Sequence, residues 1–196
     1  MDDEERLNED TKVITDGELK TKQLYIIGEI NEERSKDIIK ALFETDWKGS
    51  GINNLSIYIS SEGGYLIDCF AMIDAIQFIR DTFDVHVSTF GLGECTSAGF
   101  FLFLLGDLRV LFPNCKVFVH EHISMLGESS YDDTKREIKD QKMVYDMYVE
   151  YSSKRLGISK TRVKTLLKKN RYLTQKELEK FNIITKNDEL DEKEKE

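Results

Sequence analysis

The sequence predicts an α/β fold built on a largely parallel sheet, and three observations predict it. Short β-rich runs alternate with stretches whose apolar residues recur at helical spacing. The order of these segments is β-α-β-α-β-α-β-β, a rhythm that implies right-handed crossovers and helices packed on a mostly parallel sheet. Finally, the 196 residues are 40% hydrophobic with no internal break in composition, enough for one substantial core.

Gln23–Gly28 is a short β-rich run closed by glycine, and Ile38, Ile39, Leu42 and Phe43 after it keep helical spacing. Leu55, Ile57 and Ile59 alternate with polar residues in a second strand, which stops at Ser60-Ser61-Glu62-Gly63-Gly64. A helix is expected from about Leu66 to Arg80, with Leu66, Phe70, Ile73, Ile76 and Ile79 on one face. Val85 and Val87 mark the next strand, followed by a glycine-bearing turn at Gly91-Leu92-Gly93. Ser97–Leu105 is too short to cross a membrane and is expected as a buried helix. Two short strands follow, around Arg109–Phe112 and Lys116–His120.

From about Tyr131 to Arg155 the pattern is a long helix. Ile138, Val144, Met147, Tyr148 and Tyr151 lie on its apolar side, while charges keep its first half wet. Such a helix projects or packs on a partner more readily than it closes a small core. Ser159 suits the cap of a helix through about Lys168. Thr174 with Glu177 has capping-box spacing for a last helix ending near Asn182.

The formal charge of −9 is concentrated at the ends: residues 1–11 hold six acidic residues and one basic, residues 186–196 six acidic and three basic. The expected organisation is therefore an acidic, mobile segment over 1–22, one domain over 23–185, and an acidic disordered tail over 186–196. Neither end suits binding to nucleic acid or to an anionic membrane. Without an apolar run of membrane-spanning length or a signal-peptide layout, the protein is expected to be soluble and cytoplasmic. Cys69, Cys95 and Cys115 read as small core residues rather than disulfide or zinc ligands. With three histidines, His86, His120 and His122, a metal site has little support.

Three features lie where strands give way to loops or helices, the places where parallel sheets build sites. Ser97 follows a strand and opens a buried helix, where its hydroxyl can leave a tight turn and the first helical N–H groups can face an oxyanion. The same position suits a plain helix N-cap, and Thr96 and Cys95 are neighbouring nucleophiles. His120 ends its strand and can take a serine proton, though an isolated histidine equally serves as a structural hydrogen-bonder. Gly63-Gly64 lets backbone amides approach a substrate, or simply makes a turn.

Taken in order, these pieces resemble the proteolytic subunit of the Clp protease, the ClpP family. The resemblance rests on Ile59-Ser60-Ser61-Glu62-Gly63-Gly64, on Thr96-Ser97-Ala98-Gly99, on Pro113-Asn114-Cys115-Lys116-Val117-Phe118-Val119-His120, and on Lys169-Asn170-Arg171-Tyr172-Leu173-Thr174. It covers roughly residues 23–185. It implies a crotonase-like α/β fold with a protruding handle helix after His120. It also implies a serine endopeptidase with Ser97 as nucleophile, His120 as base, Asn170 in the third triad position, and the Gly64 and Ala98 amides as oxyanion hole. No cofactor or metal is implied. The implied partners are other copies in heptameric rings stacked as a tetradecamer, an ATP-driven unfoldase ring, and unfolded polypeptide substrates.

The departures are specific. Asn170 stands where the family has aspartate, Ala98 where it has methionine and Glu62 where it has proline, and the arginine-leucine-leucine segment before the first strand is missing. An aspartate stabilises the imidazolium formed during attack, and its replacement by asparagine in another serine protease cost roughly 10⁴ in turnover, about 5 kcal/mol. A slow or conditionally active enzyme is expected, unless Asp132 or Asp133 reaches His120. Two alternatives stand beside this: a catalytically impaired ring subunit, and a crotonase-type acyl-CoA enzyme.

Overall fold

The computed structural model describes residues 11–16, 19–121 and 130–185. Its strands are β1 (Thr11–Asp16), β2 (Leu19–Ile27), β3 (Asn54–Ser61), β4 (His86–Thr96), β5 (Leu108–Leu111), β6 (Lys116–Val119) and β7 (Arg171–Tyr172). Its helices are α1 (Glu32–Phe43), α2 (Trp47–Ser50), α3 (Leu66–Phe83), α4 (Ala98–Phe103), α5 (Tyr131–Leu156), α6 (Lys160–Leu167) and α7 (Gln175–Lys180).

Alternation drives the sheet. Leu55, Ile57, Ile59 and Ser61 of β3 are buried while their neighbours are half-buried, and Leu24 and Ile26 of β2 share the inward face. The order β1-β2-β3-β4-β6-β7 forms one sheet, with β5 also paired to β4. The β2–β3, β3–β4, β4–β5 and β4–β6 pairs are parallel. The outer β1–β2 and β6–β7 pairs are antiparallel. Cys69, Met72, Ile73, Ile76 and Ile79 of α3 join Ile38 and Leu42 of α1 and the aromatic α4 in one core.

Two expectations are corrected here. Gly91-Leu92-Gly93 is not a turn, because β4 runs through it as an 11-residue strand. The strand continues by exchanging partners: Ser88–Gly91 pairs with β5, and Glu94–Thr96 pairs with β6. Part of the acidic segment expected to be mobile is a hairpin, in which β1 pairs with the start of β2. Residues 1–10 and 186–196 lie outside the described residues.

The helix signals are realised in detail. Asn31 caps α1 by accepting from the Arg34 amide, and Ser159 caps α6 by accepting from the Arg162 amide. Thr174 and Glu177 form the capping box of α7. α5 buries Tyr148, Val149, Ser152 and Leu156 in its C-terminal part only, so its N-terminal half stands away from the core. Among the described residues, no helix is long and apolar enough to cross a membrane.

Candidate active site

Ser97 is the hinge between β4 and α4. Its φ of +52° and ψ of −118° are a conformation that a residue with a Cβ rarely adopts, held at a cost of about 1–3 kcal/mol. The turn is tied down on both sides. The Ser97 amide donates to the Phe118 carbonyl of β6 at 3.3 Å, and the Thr96 hydroxyl donates to the Glu62 carbonyl at 2.6 Å. Although Ser97 occupies the N-cap position of α4, its side chain makes no capping hydrogen bond. Its Oγ instead lies 2.9 Å from Nε2 of His120.

His120 immediately follows β6, and Nδ1 of its ring lies 2.7 Å from the Glu121 carbonyl oxygen. A carbonyl only accepts, so in the neutral ring the proton sits on Nδ1 and Nε2 is left with its lone pair toward the Ser97 hydroxyl. That tautomer is the one general-base catalysis requires. The next link out is Tyr145 of α5, whose hydroxyl donates to the Glu121 carboxylate at 3.1 Å. The burial of the phenol and its bond to Glu121 push the Tyr145 pKa up to about 12.

Gly63 and Gly64 pack into this turn. A Cβ on Gly63 would lie 2.6 Å from the Ser97 Cβ, and one on Gly64 would lie 2.0 Å from the Ile30 carbonyl oxygen, with φ values of +106° and +144°. Only glycine allows so close an approach. The Ile30 amide donates to the Gly63 carbonyl and the Tyr65 amide to the Ile30 carbonyl, which fixes the segment without using the Gly64 N–H. Among the described residues, neither the Gly64 nor the Ala98 amide has a backbone acceptor. Beside Ser97 and His120 is a small apolar cavity lined by Leu66, Phe100, Val119, Tyr148 and Leu167.

Asn170 faces the His120 position in register without bonding to it. The β6–β7 register, Phe118 opposite Tyr172 and Val119 opposite Arg171, sets position 170 opposite His120 one residue beyond the ladder. Its backbone is left-handed at φ +47° and the residue is exposed. Among the described residues, no hydrogen bond joins its side chain to His120. Asp133 is engaged by Ser130 and Arg136, and neither it nor Asp132 bonds to His120. His122 lies outside the described residues. No group of three or more His, Cys, Asp or Glu side chains among the described residues is placed to hold a metal ion.

The Glu121 carbonyl and the Glu177 clasp around Asn170 were not found from the sequence. The first is a backbone group and leaves no signature. The second was visible only as a capping box, yet Glu177 also binds Lys169 at 2.7 Å and Arg171 through its two terminal guanidinium nitrogens at 2.9 and 3.0 Å. The Lys169 ammonium, the Thr174 amide and the Arg171 guanidinium hold the Glu177 carboxyl well below the usual carboxylate range.

Comparison with known proteins gives two findings. A family model described as Clp protease matches residues 7–187. Among solved structures, an asparagine-to-aspartate mutant of ClpP1 from Listeria monocytogenes aligns with a TM-score of 0.69 at 23% identity, covering 85% of this chain and 92% of that one. At that identity the likeness establishes the fold.

Proposed function

The chain belongs to the Clp protease family, and from that premise we propose that it is a serine-type endopeptidase subunit of a ring-shaped, ATP-dependent proteolytic complex. One observation carries the reading: the 2.9 Å contact between Ser97 Oγ and His120 Nε2. In the proposed reaction, Ser97 Oγ attacks the scissile carbonyl while its proton passes to His120 Nε2. The resulting oxyanion is held by the Gly64 and Ala98 amides, which have no backbone acceptor among the described residues. His120 then protonates the leaving amine, and water resolves the acyl-enzyme by the same path in reverse.

Asn170 is the third member in this reading. It orients His120 through its side-chain oxygen once its side chain turns toward the ring, without contributing charge. Until then the Glu121 carbonyl keeps the tautomer. The proposed assembly is a stack of two heptameric rings that meet through α5. Supporting it, the half of α5 that stands away from the core exposes Ile138 at 53% and Met143 at 68%. Unfolded polypeptides delivered by an unfoldase ring are the proposed substrates.

A second reading is a catalytically impaired ring subunit, favoured by the lack of any bond between Asn170 and His120. The acyl-CoA reading is not retained, because it leaves the Ser97–His120 pair without a role. Labelling of the assembled protein with a fluorophosphonate tests the proposal. Modification at Ser97, lost in Ser97→Ala, is the expected result. An unlabelled but intact ring would favour the impaired subunit.

A further inference from the structure

Two thiols meet just behind the Ser97 turn. Cys95 lies on β4 two residues before Ser97, and Cys115 ends the turn between β5 and β6, where its amide donates to the Phe112 carbonyl. Their sulfurs are 3.9 Å apart. The space they share exists because residue 91 is glycine: a Cβ there would lie 2.9 Å from the Cys95 sulfur and 3.0 Å from the Cys115 sulfur. Cys95 is fully buried and Cys115 half-buried, so solvent reaches the pair from the Cys115 side.

We propose that Cys95 and Cys115 are a modification site: a reversible disulfide, formed by hydrogen peroxide, that pulls on β4 and disturbs the Ser97 turn. The chemistry balances in two steps. The Cys115 thiolate attacks one oxygen of hydrogen peroxide, the O–O bond breaks, and the departing hydroxide takes from solvent the proton the thiol had released, leaving a sulfenic acid and one water. The Cys95 sulfur then attacks the Cys115 sulfur. The S–S bond forms, the S–O bond breaks, and the hydroxide leaves as water with the Cys95 proton. Two thiols lose two electrons in all, and the peroxide is reduced to two waters.

The environments suit this order. Contact with Cys95 lowers the Cys115 pKa below the usual thiol value, which favours the nucleophilic thiolate at the accessible sulfur. Contact with Cys115 and burial push Cys95 upward, so it waits as the protonated resolving thiol. Cys69 serves as the internal contrast: it is buried, its pKa is raised by desolvation, and its thiol donates to the Ala98 carbonyl at 3.2 Å.

Closure has a mechanical consequence. A disulfide needs the sulfurs about 2.0 Å apart, so they must approach by roughly 2 Å. That demand falls on the stretch of β4 that has just exchanged β5 for β6, and Thr96 and Ser97 follow it directly. Thr96 holds Glu62 and Ser97 holds Phe118, so movement there reaches both the glycine pair and the strand that presents His120.

The experiment treats the full-length protein with hydrogen peroxide and follows three readouts. Intact mass should fall by two hydrogens, and digestion should yield one linked species joining residues 81–109 to 110–116, reversed by dithiothreitol and absent in Cys115→Ala. Cys69 should remain a free thiol. Amide exchange over residues 94–99 should rise at least tenfold in the linked form, and peptidase turnover should fall at least tenfold and recover on reduction. Free thiols after peroxide, or sulfinic acid at Cys115 without a link, would overturn the site. A link with unchanged exchange would overturn its coupling to Ser97. The mass and exchange readouts do not depend on peptidase activity, so failure of the peptidase proposal alone would leave them intact.

Discussion

The Glu121 carbonyl oxygen lies 2.7 Å from Nδ1 of His120, the ring position a triad carboxylate would occupy. The imidazole therefore has a fixed tautomer without help from position 170, but among the described residues no carboxylate is hydrogen-bonded to it to stabilise the imidazolium. The two contributions of a third triad member, orientation and charge, are separated here. Removing the side chain at 170 should then cost little, and adding charge should gain much. Asn170→Ala is expected to keep model-peptide kcat within about tenfold of the parent. Asn170→Asp should raise it by about tenfold or more, as the carboxylate displaces the carbonyl. Steady-state kinetics on both variants checks this, and no gain from the aspartate would argue against Asn170 as the third member.

The strain at Ser97 predicts a trade of activity for stability. Its φ of +52° burdens any residue with a Cβ. Ser97→Ala should abolish peptide cleavage yet leave stability within about 1 kcal/mol, because the backbone strain stays and the hydroxyl loses only its part-buried bond to His120. Ser97→Gly should be equally inactive but more stable by about 1 kcal/mol, the relief of strain exceeding the added freedom of the unfolded chain. Thermal unfolding of the two variants side by side is the measurement. Equal stabilities would mean the turn is not strained.

Glu177 gives a prediction in pH. Lys169, the Thr174 amide and Arg171 depress its folded pKa. A depressed carboxylate contributes stability that is fully present above its unfolded value of about 4.3 and is lost as pH falls toward the folded value. Glu177→Gln should therefore lower the midpoint of thermal unfolding by a constant amount above about pH 5. The gap should narrow below about pH 4 and close in strong acid. Since Lys169 and Arg171 flank Asn170, the variant should also raise amide exchange over residues 168–173.

What could be read in advance follows a physical division. Ser97, His120 and the Gly63-Gly64 pair were legible because each sits at the end of an element whose periodicity is plain, so order and spacing carried them. The 91–93 stretch was misread because two glycines in three residues are the local signature of a turn. The strand persists there only through non-local pairing, first with β5 and then with β6. The β1 strand was hidden for a related reason: Val13 and Ile14 are both exposed, at 50% and 39%, so pairing rather than a buried face makes it a strand. Neither the Glu121 carbonyl nor the meeting of Cys95 with Cys115 leaves a trace in spacing, since both depend on register between segments.

The buried Arg109 carries the last prediction. Its Nε donates to the Ile183 carbonyl at 2.8 Å, Nη1 to Gly106 at 2.8 Å and Nη2 to Asn182 at 2.9 Å. Its backbone also exchanges bonds with Thr185. The side chain thus pins the segment after α7 against β5, and desolvation lowers its own pKa without removing its charge. Arg109→Met keeps the stem volume but strands the Ile183 and Asn182 carbonyls, each accustomed to a charge-assisted bond, while Gly106 keeps its bond from Arg155. A loss of about 3 kcal/mol in denaturant unfolding is expected. Because Ile183 is fully buried beneath this clamp, the variant should also expose residues 181–185 to protease while leaving the Ser97–His120 pair labelled by fluorophosphonate. Protection of that segment unchanged from the parent would show that packing of Phe181 and Ile183, not the guanidinium, holds it in place.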